Sequence, residues 1–125
     1  MNVTSTLSSK VLILGINPSA KAGKSKSLAR LFAWAKYMKI EVFSFTNIIH
    51  KTGVYKNSDI DYNWITESCS GYDKIIVLGN FVSNALARIN IPHHVLPHPS
   101  PLNRNLNDKE YEEAQLQAAM EYLWN

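Results

Sequence analysis

The sequence predicts a three-layer α/β/α domain on a central, mostly parallel, four-stranded sheet. Three observations carry that expectation. Short apolar runs alternate with longer segments of helical periodicity, and strands joined through helices pair in parallel. Two of the runs, Val11-Leu12-Ile13-Leu14 and Ile75-Ile76-Val77, are continuous rather than alternating, as strands covered on both faces are. The chain has 125 residues, enough for one domain with a modest core.

Residues 10–14 form the first expected strand. A helix follows over 27–38, with Leu28, Leu31, Phe32 and Ala35 at the spacing of one apolar stripe and Ser25 or Ser27 as its cap. Residues 41–46 read as a second strand carrying Val42, Phe43 and Phe45, and residues 60–70 as a weakly patterned helix. Residues 74–78 give the clearest buried strand. Gly79 ends it, and residues 80–89 form a helix burying Phe81, Ala85 and Ile89. Pro92 stops that helix before a short strand at 94–96. The last helix starts near Asn107 with Glu110 as a capping-box partner and runs through Tyr111, Ala114, Ala118 and Tyr122. Residues 1–9 are polar and rich in Ser and Thr, so they are expected to be disordered or loosely packed, with residues 10–125 as a single domain.

The formal charge is +3, unevenly spread. Lys21, Lys24, Lys26, Arg30, Lys36 and Lys39 lie early, followed by Lys51 and Lys56. Asp108, Glu110, Glu112, Glu113 and Glu121 gather late. This allows one positive face for phosphates, although a charge of +3 by itself favours a solvated surface. No apolar run has the length of a membrane span, and the first residues lack a signal core, so the expected location is cytoplasmic. Cys69 is the lone cysteine, which excludes an internal disulfide and a four-cysteine cluster and fits a reducing compartment.

The chemistry concentrates in two loops just past predicted strands, where open α/β sheets place ligands. The first is Gly15-Ile16-Asn17-Pro18-Ser19 and the second His98-Pro99-Ser100-Pro101-Leu102. An amide held beside a proline orients a water but is a poor base, so Asn17 suits a reaction whose leaving group departs early; taken alone, closing a turn is the commoner role for such an asparagine. His98, between Pro97 and Pro99, sits on stiff backbone, and a neutral imidazole N–H there would stabilise a developing anion. The competing role is a surface histidine in a proline turn. Leu102 either folds back on the sheet or fills the gap left by an everted base. Asn47, ending the second strand, either closes a turn or offers a donor and an acceptor that match the N3–H and O4 edge of uracil. His93 and His94, adjacent on a strand, point to opposite faces and make a poor metal chelate. Gly23-Lys24-Ser25 fails as a P-loop, because Pro18 stands where that motif requires glycine.

Together the motifs resemble those of the uracil-DNA glycosylase superfamily. Gly15-Ile16-Asn17-Pro18-Ser19 is similar to the first motif of the mismatch-specific uracil/thymine glycosylases, Gly-Ile-Asn-Pro-Gly. Phe45-Thr46-Asn47-Ile48-Ile49 is similar to the second-strand segment of that branch. His98-Pro99-Ser100-Pro101-Leu102 resembles the last motif of the classical uracil enzymes, and residues 73–79 the strand before the third helix. The resemblance runs in matching order from residue 10 to the C-terminus. It implies a uracil-DNA glycosylase-like fold and a monofunctional hydrolase that everts uracil or a 5-substituted uracil from single-stranded or mismatched DNA. Asn17 would position the water and His98 would stabilise the leaving anion. Ile16, Pro18 and Asn47 would bind the base. Ser19, Lys21, Lys24, Ser100, Leu102 and Arg104 would meet DNA, with Leu102 as a wedge. The resemblance implies no metal or organic cofactor and a monomer.

The chain also departs from the family pattern. The classical enzymes have aspartate at the position of Asn17. Ser19 stands where they carry a tyrosine that rejects the methyl group of thymine, so a small residue leaves room at the pyrimidine 5-position. The stacking phenylalanine has no aligned counterpart, and Phe45 and Phe32 are the candidates. The trimmed length suits a viral genome, which would place the protein in host cytoplasm. Two other readings use the same pocket: a DNA-binding module without turnover, and an enzyme of nucleotides or base modification.

Overall fold

All five residues of β1 (Val11–Gly15) are buried, as an apolar run without a polar face requires. The computed structural model describes residues 9–18, 26–100 and 103–124. In chain order β1 is followed by α1 (Lys26–Tyr37), β2 (Ser44–Asn47), α2 (Tyr62–Cys69), β3 (Lys74–Leu78), α3 (Asn80–Arg88), β4 (His94–Leu96) and α4 (Lys109–Trp124). Single 3₁₀ turns occupy Asn57–Asp59 and Arg104–Asn107. The four strands form one sheet in the order β2-β1-β3-β4, and every pairing is parallel. Helices cover both faces, so the chain adopts the three-layer α/β/α architecture that its sequence predicts.

Side chains along the two central strands alternate between two cores. Val11, Ile13, Ile76 and Leu78 pack with Leu31, Trp34 and Met38 of the α1 segment and Leu116, Ala119 and Leu123 of α4. Leu12, Leu14, Ile75 and Val77 pack with Ile65 and Cys69 of α2 and Val82, Ala85 and Leu86 of α3. Burial pushes the Cys69 thiol up to about 11, so it packs as a small apolar group rather than a nucleophile.

Several expected details are corrected. The inward stripe of α1 is Leu31, Trp34 and Ala35, while Phe32 is turned outward against Phe43. Trp34 can be buried because its indole N–H donates to Glu112 at 3.0 Å. β2 begins at Ser44 rather than residue 41, because only Ser44–Asn47 find partners, on Leu12–Gly15 of β1. The preceding residues are spent on leaving the helix. Lys39 adopts a left-handed φ of 62°, and the Ile40 N–H returns to the Ala35 carbonyl at 3.0 Å. α3 buries Val82 and Leu86 beside Ala85, with Phe81 and Ile89 half-buried. α4 is capped by Asp108, whose carboxylate accepts the N–H groups of Glu110 and Tyr111, not by Asn107. Its interior residues are Leu116, Ala119 and Leu123, and Ala114 and Ala118 face solvent. Residues 1–8, Ser25 and the Gly23-Lys24-Ser25 run lie outside the described residues.

His93 and His94 diverge as strand geometry requires. His93 donates from Nδ1 to the Ile91 carbonyl (2.8 Å) and accepts the Ser83 hydroxyl at Nε2 (2.7 Å), tying the approach to β4 to α3. His94 stacks on Tyr122 of α4, with ring centroids 5.3 Å apart. Burial lowers the pKa of His94 and keeps its ring neutral.

Ile13 is fully buried in the α1/α4 core, whereas Val42 is 84% exposed. Ile13→Ala should therefore cost about 2–5 kcal/mol, read as a lower denaturant midpoint at unchanged m-value, and Val42→Ala should stay within about 0.5 kcal/mol.

Candidate active site

Parallel pairing brings the C-terminal ends of all four strands to one edge. The strand order reverses between β1 and β3, and such a switch point opens a crevice. A cleft of about 410 Å³ lies there, within the ~300–1,000 Å³ range of small-molecule sites. Gly15, Asn47 and Leu78 line it from the ends of β1, β2 and β3, and His98 from two residues past β4. Ser27, Leu28 and Leu31 of α1 form the facing wall. Ile16, Asn17 and Pro18 complete it from the loop after β1.

Gly15 makes the space. It pairs with Asn47, and Ile13 pairs with Phe45, so Phe45 and Asn47 project from one face of β2 toward the α1 side. A Cβ at Gly15 would lie 2.6 Å from Asn47 Oδ1 and 3.1 Å from Phe45 Cζ. Without that carbon, the amide and the ring close over the end of β1. Phe45 is 39% exposed for the same reason: one side packs on glycine and the other faces the cleft.

Asn17 is held by the segment after β2. Strand-like bonds continue past the sheet, from Ile48 N–H to the Gly15 carbonyl (3.0 Å) and from Ile49 N–H to the Ile16 carbonyl (2.9 Å). The chain then turns so that the Asn17 Nδ2 donates to the carbonyls of Lys51 (3.2 Å) and Gly53 (2.9 Å). Both amide hydrogens are thereby committed, and Oδ1 remains as the acceptor, the group that can hold a water by its hydrogen. Asp59 fastens the same loop. Its carboxylate accepts the Lys56 N–H at 2.7 Å and pairs with Lys51 Nζ at 3.0 Å. The backbone hydrogen bond from Lys56, helped by Lys51, lowers the Asp59 pKa.

His98 is fixed in one tautomer. The Ser100 N–H donates to its Nδ1 at 3.1 Å, so a neutral ring carries its hydrogen on Nε2. Burial lowers its pKa and favours that neutral form. Two neighbours set the loop. Asn103 donates to the His98 carbonyl at 3.2 Å. Gly79, at φ 93°, donates to the Leu96 carbonyl at 2.7 Å, and a Cβ there would sit 3.5 Å from His98 Cβ.

Of the expected site residues, Ile16, Asn17, Pro18, Asn47 and His98 share the cleft. Ser100 flanks it through its bond to His98. Arg104 is exposed on the 3₁₀ turn that follows and is not part of the lining. Ser19, Lys21, Lys24 and Leu102 lie outside the described residues. Between the two stacking candidates, Phe45 lines the cleft and Phe32 does not. Sequence reasoning missed the Lys51–Gly53 carbonyls, Asp59 and Asn103. Asp59 had a faint local signal as an acidic residue in the turn before α2, and backbone carbonyls leave none. Among the described residues no group of acidic, histidine or cysteine side chains could hold a metal ion, and no helix is long and apolar enough to cross a membrane.

Asp59→Asn should loosen the loop around Asn17, seen by NMR as faster exchange of the Asn17 side-chain amide protons. Because folding lowers the Asp59 pKa, the clamp holds above the ordinary carboxylate value of 3.8 and is lost as pH falls through the lowered one. The wild-type chain should show the same faster exchange only below pH 3.8. Gly15→Ala should keep the fold while shifting the Asn47 and Phe45 resonances, since its methyl group needs the space they fill.

No protein-family model, no curated protein and no solved structure matches this chain.

Proposed function

We propose that the chain is a DNA glycosylase that hydrolyses the N-glycosidic bond of uracil, or of a 5-substituted uracil, everted from DNA. The observation that carries this reading is the convergence of Asn17, Asn47 and His98, from three separate strand ends, on one cleft. In this reading the pyrimidine lies against the Phe45 ring. The Asn47 amide meets its N3–H and O4 edge. The C1′–N1 bond breaks with its electron pair leaving on the base, and the charge on O2 is met by the His98 Nε2–H. The sugar becomes an oxocarbenium ion. A water accepted by Asn17 Oδ1 adds at C1′ and loses a proton to solvent, and the base anion takes one up. The products are a free base and an abasic site, and the step uses neither metal nor cofactor. All of these groups come from one chain, so a monomer suffices. Lys26, exposed at the start of α1 where that helix walls the cleft, suits a phosphate beside the everted nucleotide.

The test is base release from uracil-, thymine-mismatch- and 5-modified-uracil oligonucleotides, with the liberated base identified by mass. His98→Ala should lower kcat by about 10²–10³-fold, as loss of an anion-stabilising donor does. Asn17→Ala should cost about 10²-fold through a misplaced water. The rate should hold through neutral pH and fall only below 6.5, because the His98 pKa is lowered and its protonation would set Nδ1–H against the Ser100 N–H. Salt-sensitive DNA binding that survives both substitutions, with no base released by the wild-type chain, would replace this reading with a binding module.

A further inference from the structure

The loop that orients Asn17 also carries an apolar side chain that the fold does not use. Val54 is 89% exposed, the most exposed large hydrophobic residue among those described. It follows Gly53, which lines the cleft and turns the chain with φ 81°. Among the described residues no atom beyond the chain neighbours lies within 4 Å of where a Gly53 Cβ would be, so the turn is open on that side. Both neighbours of Val54 are nonetheless anchored. The Gly53 carbonyl is held by Asn17 at 2.9 Å, and Tyr55 packs edge-on against Phe81 at 5.0 Å between centroids. Asp59 closes the loop from Lys51 to Lys56.

A β-branched side chain on a loop fixed at each shoulder loses little conformational freedom when it meets a partner. Exposed, and next in the chain to a residue that lines the cleft, it has the shape needed to occupy a gap in a base stack. From this geometry we infer that Val54 is a preformed wedge that enters the duplex as the nucleotide leaves it, so that paired or mismatched duplex is the substrate this loop serves. The inference rests on the glycosylase reading. It is independent of Leu102, which the resemblance casts in a similar part. A single strand has no stack to refill, so it gains nothing from the wedge.

The test compares wild type, Val54→Ala and Val54→Leu on one uracil-containing sequence, as a single strand and as a duplex with 2-aminopurine beside the uracil. Val54→Ala should lower kcat/KM on the duplex by about tenfold, keep the single strand within about twofold, and reduce the fluorescence rise that reports unstacking. Val54→Leu should restore duplex activity and fluorescence. Equal rates for wild type and Val54→Ala on both substrates, or equal losses on both, would overturn the wedge while leaving the glycosylase reading in place. No base release by wild type from either substrate would remove that reading and the wedge with it.

Discussion

The in-register parallel pairing of β1 with both of its neighbours is the constraint on which the rest depends. It sets Gly15 opposite Asn47 on one side and Leu14 opposite Val77 on the other. Because side chains alternate, a slip of one residue would exchange the two cores and turn Phe45 and Asn47 away from α1. Such a slip is opposed from both sides of the sheet, since Val11 and Ile13 fill one core while Leu12 and Leu14 fill the other. The cleft therefore inherits its geometry from hydrophobic burial. Its polar groups sit at strand ends whose positions are decided several residues earlier by aliphatic packing.

Among the described residues lining the cleft, none bears a full charge. The polar groups are two carboxamides, a hydroxyl and an imidazole that burial keeps neutral. Charge is held nearby but off the lining, in the Lys51–Asp59 pair that shapes the loop. A slot of this kind is suited to a neutral planar ring that can stack and exchange hydrogen bonds. Among the described lining residues a phosphate would find no cation. Under the proposed function, the base and its backbone are thus handled by different parts of the protein: fixed neutral dipoles inside and exposed cations outside.

Much of the fold was legible because it rests on patterns the chain displays locally. The runs at residues 11–14 and 74–78 can be satisfied only by burial on both faces, and the helices between them force parallel pairing. Details decided by competition between neighbours were less legible. Phe32 and Trp34 are both aromatic, and the preference for Trp34 inside depends on Glu112, distant in sequence, accepting its indole hydrogen. Ala118 and Ala119 are adjacent alanines of α4, and only Ala119 shares the helical phase of Leu116 and Leu123 that faces the interior. At the site, Asn17, Asn47 and His98 could be read from their loops. The carbonyls that orient Asn17 belong to a segment whose side chains advertise nothing, because backbone groups carry no residue-specific signature.

That hidden clamp bears on the choice of amide at residue 17. Under the proposed function, the classical uracil enzymes offer the contrast of an aspartate there, and the exchange looks at first like a weakened catalyst. The loop after β2 presents two carbonyl oxygens to the side chain, at 3.2 and 2.9 Å. A carboxamide donates to both and keeps an oxygen in reserve. An ionised carboxylate has nothing to donate, and its negative charge would face two acceptors. Aspartate at residue 17 would therefore release the loop that carries Gly53 and Val54, even as it supplied a stronger acceptor for water. Asn17 and the 51–56 loop are one device, in which the amide gives up basicity and gains a fixed orientation together with a rigid tip beside the cleft. Under the proposed function, that exchange suits a bond that breaks before the nucleophile must act.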